Sequence, residues 1–143
     1  MPFERLLRGI IKFFDLPMSS ISKGDAGNTL LPIKNSYISA NICYEVVYPD
    51  FIARNSYGAN LILTLSNDAW FGTSIGPKQH MQMAQMRAIE NSKPVIRVTN
   101  NGITGVIDHK GKFVKTLPQF VQSELELSVI GPVSYTHLTL PTI

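Results

Sequence analysis

Cys43 has the clearest capacity for covalent chemistry, because it is the only cysteine in the 143 residues and thiolates are strong nucleophiles. Before it, residues 37–42 alternate apolar side chains with Tyr, Ser and Asn at the period of two typical of a β-strand. After it, Pro49 and Asp50 mark the start of a short helix predicted over Phe51–Ser56. We therefore expect the thiol on a strand-to-helix turn, where backbone N–H groups stabilise a thiolate or an oxyanion. The alternative is a small buried hydrophobic residue at a strand end.

A loop predicted at Ser66–Pro77 is the second candidate for a functional segment. It follows the continuous apolar run Leu61–Leu65, which is typical of a strand covered on both faces. Open α/β sheets place ligand sites at the carboxyl ends of such strands, so we expect the loop near Cys43. Its polar and aromatic residues are Asn67, Asp68, Trp70 and Phe71. Trp70 either lines a pocket or is a loop aromatic residue folded onto the core.

The helix predicted at Lys78–Asn91 follows this loop and has few helix-breaking residues. Its apolar face is predicted to comprise Met81, Ala84 and Ala88, widened by Met83, Met86 and Ile89. We interpret the three methionines as core residues rather than as an adaptable binding surface. Arg87 and Glu90 are spaced i, i+3 and are expected to pair.

Shorter elements are predicted on either side of these segments. An amphipathic helix is expected at Phe3–Phe14, and a short strand at residues 30–33 is interrupted by Pro32. Toward the C-terminus, hairpin strands are predicted at Val95–Thr99, Ile103–Ile107 and Phe113–Leu117. The turns Asn100-Asn101-Gly102 and Asp108-His109-Lys110-Gly111 connect them, because Asn-Gly is a strong hairpin signal. His109 is expected to be exposed in its turn.

Composition excludes several classes of function. With 44% hydrophobic and 16% charged residues, the chain is globular and the size of one domain. Its net charge is +3 and its basic residues are spread out, so nucleic acid is not an expected partner. A single cysteine excludes an internal disulfide, and no Cys/His cluster has metal-ligand spacing, so no metal or cofactor is expected. The sequence has no transmembrane span or signal peptide, and we expect it to be a fragment.

Five short motifs stand out in the sequence: Leu-Pro-Met-Ser-Ser at Leu16, Cys-Tyr-Glu at Cys43, Asn-Asp-Ala-Trp-Phe-Gly at Asn67, Gln-His at Gln79 and Thr-Asn-Asn-Gly-Ile-Thr-Gly at Thr99. In combination they resemble the nitrilase superfamily, and in particular its apolipoprotein N-acyltransferase family. The resemblance extends from Pro2 to about Gly131. It implies an α/β fold, the nitrilase-like four-layer αββα sandwich, of which this chain holds roughly the C-terminal half.

The resemblance also implies roles for particular residues. Its members use a Glu, Lys, Cys triad, in which Cys43 fills the nucleophile position and the other two residues are expected upstream of Met1. Glu45 matches a second acidic residue beside the cysteine that assists proton transfer, and its alternative role is a structural ion pair. Asn67, Trp70 and Phe71 are assigned to substrate binding.

The implied reaction transfers an acyl group through a cysteine thioester. The implied partners are a phospholipid acyl donor, a diacylated apolipoprotein acceptor, and the membrane, through helices that this chain lacks. The implied location is the bacterial cytoplasmic (inner) membrane, with the domain facing the periplasm or cell exterior. This chain alone is expected to be inactive. The alternatives are a soluble nitrilase-type amidase or carbamoylase and a non-catalytic binding module of the same fold.

The C-terminal residues Val133–Thr142 match the translation of a transposon adapter used for sequencing libraries. We therefore predict a partial nitrilase-like domain at residues 1–132 and a segment of non-native origin at residues 133–143. Under this prediction His137 has no functional meaning.

Overall fold

A computed structural model describes residues 30–126, so the predicted helix Phe3–Phe14 and the segment 133–143 lie outside the described part. The strands are β1 (Leu30–Ile33), β2 (Ser36–Ile42), β3 (Leu61–Ser66), β4 (Val95–Thr99), β5 (Gly105–Ile107) and β6 (Phe113–Thr116). The α-helices are α1 (Pro49–Asn55) and α2 (Gly76–Asn91), and 3₁₀ helices occupy Cys43–Val47 and Ala69–Phe71. Among these residues no helix is both long and apolar enough to cross a membrane.

The six strands form one sheet in the order of the chain. The central strands β2, β3 and β4 are parallel, whereas β1, β5 and β6 join antiparallel at the two sides. Helix α1 connects β2 to β3, and α2 connects β3 to β4. The parallel register pairs Ile42 with Leu65, and Ser66 with Thr99. The carboxyl ends of three parallel strands therefore lie at one edge of the sheet, as the α/β prediction requires.

The hydrophobic core lies between one face of the sheet and the two helices. Ile62, Val95 and Ile107 are aligned across β3, β4 and β5 and are fully buried. The helical residues packed with them are Val46, Ile52, Met81, Ala84 and Ala88. Burial of these apolar side chains fixes the helices over the sheet, at about 25 cal/mol per Å² of apolar area removed from water.

The opposite face of the sheet is less covered than the apolar run in β3 predicted. Leu61 and Leu63 are half-buried, and Leu65 is 45% exposed. Side chains alternate along a strand, and within residues 30–126 the helices pack on only one of the two faces. The prediction that β3 is covered on both faces is therefore wrong for the described residues.

In helix α2 the predicted stripe of core residues is confirmed, but the predicted wider apolar face is not. Met81, Ala84 and Ala88 are buried. Met83, Met86 and Ile89 are 37–47% exposed, so only one of the three methionines fills the core. The helix begins at Gly76, two residues earlier than predicted, with Pro77 in its first turn. The predicted pair is confirmed, since Arg87 Nη2 lies 2.9 Å from Glu90 Oε1.

The hairpin after α2 is confirmed, but its turn is wider than the predicted Asn-Gly turn. Strand β4 has the predicted bounds, whereas β5 begins only at Gly105, the partner of Arg97. Residues 100–104 form the connection, and Thr104 Oγ1 accepts a hydrogen bond from the Thr99 N–H at 3.0 Å. This side-chain hydrogen bond takes the place of the next backbone hydrogen bond between β4 and β5. His109 is exposed, as predicted.

Candidate active site

Cys43 lies where β2 ends, and it begins a 3₁₀ helix. Its φ is +51°, in the left-handed region that few residues other than glycine adopt. Strained strand-to-helix turns of this kind present nucleophilic side chains in other enzymes. The predicted turn is therefore confirmed, and the partly exposed thiol is not the buried residue of the alternative. The following helix begins at Pro49 with Tyr48 as its N-cap, so the helix predicted to begin at Phe51 after Asp50 begins two residues earlier.

Glu45 fixes the shape of this turn. Its Oε2 accepts a hydrogen bond from the Ile42 N–H at 2.6 Å. The contact closes the 3₁₀ helix back onto the last residue of β2, so that a charged side chain satisfies a free backbone donor. The described partner of Glu45 is thus a backbone amide and not the cation of the alternative ion pair. Its part in proton transfer remains a prediction.

Ser66 is the described residue that contacts the thiol. Its Oγ lies 3.6 Å from Cys43 Sγ and 2.6 Å from Asp68 Oδ1. A hydroxyl has a single proton, and the short distance to a carboxylate directs this proton to Asp68. The Ser66 oxygen therefore faces the sulfur as an acceptor for the thiol proton. Ser66 was not predicted as a contact of Cys43, although it opens the predicted loop.

Asp68 joins two further side chains in a buried charged cluster. Arg97 Nη2 donates to Asp68 Oδ2 at 2.6 Å and lies 2.9 Å from His80 Nδ1. His80 Nδ1 is also 3.1 Å from Asp68 Oδ1. The residue exposures are 1% for Asp68, 3% for His80 and 0% for Arg97. Buried charges require such pairing, since the cost of losing water is otherwise uncompensated.

The cluster lowers the pKa of both of its titratable members below their ordinary values. Burial alone would raise the pKa of Asp68, but the Ser66 hydrogen bond and the charge and hydrogen bond of Arg97 outweigh it. Burial lowers the pKa of His80, and the positive charge of Arg97 lowers it further. Asp68 is therefore a carboxylate and His80 a neutral imidazole at neutral pH.

The predicted binding residues lie around this cluster but differ in exposure. The Phe71 ring is 6.2 Å from the His80 ring, and Tyr44 approaches the same ring at 6.1 Å. Asn67 Oδ1 accepts the Ala69 N–H at 3.1 Å and so shapes the loop. Trp70 is 86% exposed and is not folded onto the core. The loop and Cys43 share one end of the sheet, as predicted, and binding of substrate by these residues remains a prediction.

A cavity of about 430 Å³ opens at the same edge of the sheet, beyond β4. Its walls are formed by residues 98–102, 104, 117, 118 and 120–123, with Thr99 next to the β3 end at Ser66. Asn67, Trp70 and Phe71 are not among its lining residues. These three predicted binding residues therefore lie outside this cavity.

Sequence reasoning missed the cluster, although two signals for it were present. Arg97 interrupts the apolar strand Val95–Thr99 on its helix-covered side, and a buried guanidinium needs a carboxylate. The partner lies in the loop after β3, the strand adjacent to β4. Gly102 marks the same place, because a Cβ there would overlap the Asp68 carboxylate and approach Asp68 Cβ and Cγ to 2.8 Å. Without a predicted register, the sequence did not connect these residues.

A cysteine on a strained turn at the end of a parallel strand, with a hydrogen-bonded polar cluster beneath it, defines a candidate thiol-enzyme site on an α/β sheet. The chain belongs to the carbon-nitrogen hydrolase family, whose model matches residues 5–143. That range includes 133–143, whose interpretation as a translated adapter remains a prediction.

Three similar relatives have the same name, apolipoprotein N-acyltransferase. The chain is 55% identical over 130 residues to apolipoprotein N-acyltransferase of Pseudomonas paraeruginosa, covering 91% of this chain and 25% of the relative. The chain is 53% identical over 125 residues to apolipoprotein N-acyltransferase of Azotobacter vinelandii, covering 87% of this chain and 24% of the relative. That of Photobacterium profundum is 49% identical over 142 residues, covering 96% and 28%. These relatives confirm the resemblance drawn from the motifs, and the chain spans about a quarter of their length.

Solved structures confirm the nitrilase-type α/β fold. A carbon-nitrogen hydrolase of Helicobacter pylori matches with a TM-score of 0.60 at 15% identity, over 68% of this chain and 42% of that one. A nitrilase-superfamily protein of Saccharomyces cerevisiae matches with a TM-score of 0.57 at 21% identity, over 70% and 40%. At these identities the likeness concerns the fold.

Proposed function

We propose that this chain carries the nucleophile of an apolipoprotein N-acyltransferase, and that Cys43 is that nucleophile. The observation that carries the proposal is the position of Cys43, on a left-handed turn at the end of a central parallel strand. The similarity to relatives of that name supports the choice of reaction over other thiol chemistry. The proposed donor is a phospholipid, and the proposed acceptor is the N-terminal amine of a diacylated apolipoprotein.

In the proposed first step, a base removes the thiol proton of Cys43 and the sulfur attacks an ester carbonyl of the phospholipid. The resulting oxyanion collapses, the C–O bond breaks, and the lysophospholipid leaves as an alcohol after taking the proton. In the second step the acceptor amine attacks the thioester. An amide forms, the C–S bond breaks, and the amine proton returns to the sulfur.

The described residues supply only part of this machinery. The described hydrogen-bond partner of the Cys43 sulfur is Ser66, whose own proton is directed to Asp68. A serine hydroxyl is too weak a base to deprotonate a thiol. We therefore assign the base and the oxyanion-binding lysine to the rest of the full-length protein, and propose that Glu45 assists beside the sulfur. Asn67, Trp70 and Phe71 are proposed to contact the substrate.

The proposed setting is the bacterial cytoplasmic membrane, with this domain facing the periplasm or cell exterior. The membrane setting follows from the proposed substrates, because both are anchored in a lipid bilayer, and the orientation is what the family resemblance implies. The segment 133–143 is proposed to be a translated adapter, so the residues after position 132 would differ in the natural gene. Sequencing the gene across this position tests that part of the proposal, and a genomic reading frame that continues through residue 143 would contradict it.

The experiment uses the full-length enzyme with its membrane segments, in detergent with phospholipid and a diacylated lipopeptide. The Cys43→Ala variant is expected to lose acyl transfer by about 10³-fold or more, as for other nucleophiles that act with a base. Lys110→Ala, in the exposed turn after β5, is the control and should retain activity. The chain 1–143 alone is expected to give no transfer. Full activity of Cys43→Ala would overturn the proposal, and acyl release to water without amide formation would indicate a hydrolase instead.

A further inference from the structure

The register of two central strands brings Cys43 and Ser66 together. Ile42 pairs with Leu65 in the parallel ladder, so Cys43 and Ser66 are the next positions on the neighbouring strands. Ser66 also pairs with Thr99 and so remains in the sheet, whereas Cys43 leaves β2 through the left-handed turn. The 3.6 Å contact between Ser66 Oγ and Cys43 Sγ therefore joins the turn to a residue that the sheet holds in place.

Asp68 restricts the orientation of the Ser66 hydroxyl. Its Oδ1 lies 2.6 Å from Ser66 Oγ, and its Oδ2 accepts a hydrogen bond from Arg97 Nη2 at the same distance. The side chains of Asp68 and Arg97 are both fully buried. A buried carboxylate paired with a guanidinium keeps its position, because moving one charge would leave the other uncompensated. The Ser66 oxygen consequently has a fixed place relative to the sulfur.

We propose that Ser66 holds the reacting sulfur of Cys43 in position for attack, in both the thiol and the thiolate form. A hydroxyl suits both forms, since it has one hydrogen and two lone pairs. In the thiol form Ser66 donates to Asp68 and offers a lone pair to the S–H group. In the thiolate form the hydroxyl rotates and donates to the sulfur, while Asp68 retains its hydrogen bond from Arg97.

This role differs from that of a general base, because no covalent bond forms or breaks when the hydroxyl rotates. The proton of Ser66 stays on its oxygen, and the base that removes the thiol proton lies elsewhere in the full-length protein. The inference rests on the proposed role of Cys43 and adds to it a residue that determines where the sulfur lies. Loss of the Ser66 hydroxyl is therefore expected to impair the chemical step and not the binding of phospholipid.

Two substitutions at position 66 separate the hydroxyl from the rest of the side chain. Ser66→Ala removes the hydroxyl, whereas Ser66→Thr retains it and adds a methyl group that a strand accommodates well. Ser56→Ala is the matched control. Ser56 is fully buried at the end of α1, and its hydroxyl donates to Asn91 Oδ1 at 3.3 Å, so this variant also loses a buried hydroxyl and its hydrogen bond.

Each variant is made in the full-length enzyme, and acylation of Cys43 is followed in a single turnover with phospholipid and no acceptor. The rate constant at saturating phospholipid and the concentration that gives half of it are both determined. Alkylation of the Cys43 peptide by iodoacetamide is measured by mass spectrometry on the same samples. This small reagent reaches the sulfur from solution and needs no bound geometry. Thermal unfolding shows whether each variant is folded.

We expect Ser66→Ala to lower the saturating rate constant by about 10²-fold, the effect of a displacement of the reacting group of about 1 Å. The concentration for half of the rate should stay the same, and alkylation should fall by much less than acylation. Ser66→Thr is expected to retain most of the parent rate, and Ser56→Ala all of it.

Several outcomes would overturn the proposal. These are an unchanged rate in Ser66→Ala, an equal loss in Ser66→Ala and Ser56→Ala, and an equal loss in Ser66→Ala and a folded Ser66→Thr. An equal loss of acylation and alkylation would show that Ser66 governs the reactivity of the thiol and not its position. If Cys43→Ala abolishes acylation but Ser66→Ala does not slow it, this role of Ser66 fails and the proposed function stands.

A crystal structure of the unsubstituted full-length enzyme covers the case in which the variants at position 66 do not fold. We expect Ser66 Oγ to lie within hydrogen-bond distance of both Cys43 Sγ and Asp68 Oδ1. A sulfur turned away from Ser66, or a Ser66 hydroxyl separated from Asp68, would contradict the inference.

Discussion

Cys43 combines a reactive side chain with a backbone conformation that glycine adopts more readily. The Cβ of a residue at φ +51° crowds its own backbone, at a cost of about 1–2 kcal/mol. The sequence predicted the turn, because the strand pattern ends at Ile42 and a helix signal follows. It did not predict the left-handed backbone, which the hydrogen bond from the Ile42 N–H to Glu45 supports.

The strain at Cys43 predicts an unusual order of stability. Cys43→Gly is expected to have a free energy of unfolding about 1 kcal/mol higher than Cys43→Ala, since glycine relieves the positive φ. At Gln82, exposed in α2, the order should be the usual one, with Gly about 1 kcal/mol less stable than Ala. Denaturant unfolding of the four variants makes the comparison. A glycine variant at position 43 less stable than the alanine variant would show that the turn is not strained.

Two substitutions at Glu45 distinguish its structural role in the turn from a role in proton transfer. Glu45→Ala is expected to lower the free energy of unfolding by about 1.5–3 kcal/mol, because the Ile42 N–H loses a charged acceptor. Glu45→Gln retains an amide oxygen for that donor and should lose less. If the carboxylate also assists proton transfer, Glu45→Gln lowers the rate by about 10²-fold or more despite its retained stability. A Gln variant with the rate of the parent enzyme would limit Glu45 to shaping the turn.

The lowered pKa of His80 predicts how the free energy of unfolding depends on pH. Its folded-state pKa lies below the ordinary 6.5, so below that pH the unfolded chain binds a proton that the folded chain does not. The free energy of unfolding is therefore expected to fall as pH decreases from about 6.5 toward the folded-state value. Asp68 adds an effect of the same sign, but only below its ordinary 3.8.

Urea unfolding between pH 8 and pH 5 tests this dependence. His80→Gln should show a flatter profile than the parent protein, whereas His109→Gln should keep the parent's slope. Identical profiles for the parent and His80→Gln, or a parent stability that increases toward pH 5, would contradict a neutral buried His80.

At the scale of elements, the loop after β4 is as important to the site as the loop after β3. Gly102 packs directly on the Asp68 carboxylate, so the wide connection of residues 100–104 forms one wall of the buried cluster. The tight turn predicted from Asn-Gly would have left that wall unformed. The Asn-Gly motif correctly predicted that the chain reverses here. The length of the connection is determined by the hydrogen bond to Thr104 and by the packing of Gly102 on Asp68.

A methyl group at position 102 is therefore expected to disturb the cluster. Gly102→Ala should lower the free energy of unfolding by about 1–3 kcal/mol through overpacking, and should slow acylation as well because Asp68 must move. Gly58→Ala is the control, since φ there is +80° and its Cβ meets Leu30 at an ordinary 3.6 Å. The control loses stability through backbone strain but keeps its acylation rate. Equal acylation rates in both variants would show that Asp68 does not act on the site.

The sequence predicted the elements better than it predicted their contacts. Strand β4 and the buried stripe of α2 follow from local periodicity, which depends on neighbours a few residues apart. The Asp68–His80–Arg97 cluster depends on the register of β3 and β4 and on the rotation of α2, which no local pattern encodes. Met83 and Met86 were misplaced for a related reason, since helical spacing does not reveal how wide the covering surface is.

At the scale of the whole molecule, the described sheet has one well-covered face and one with exposed apolar side chains. Ile42, Leu65 and Val98 are 67%, 45% and 41% exposed along the less covered face, at the end of the sheet that carries Cys43. The chain spans about a quarter of the length of relatives such as that of Pseudomonas paraeruginosa. The full-length enzyme is therefore the proper material for every activity test of this site.

The covalent intermediate tests the central claim most directly. The full-length enzyme is incubated with phospholipid in the absence of acceptor, digested, and examined by mass spectrometry for acylated peptides. We expect one acyl chain on the peptide that contains Cys43, lost when a diacylated lipopeptide is added and recovered as its amide. Acylation at another residue, or transfer to the lipopeptide without an acylated Cys43 peptide at any time, would contradict the account.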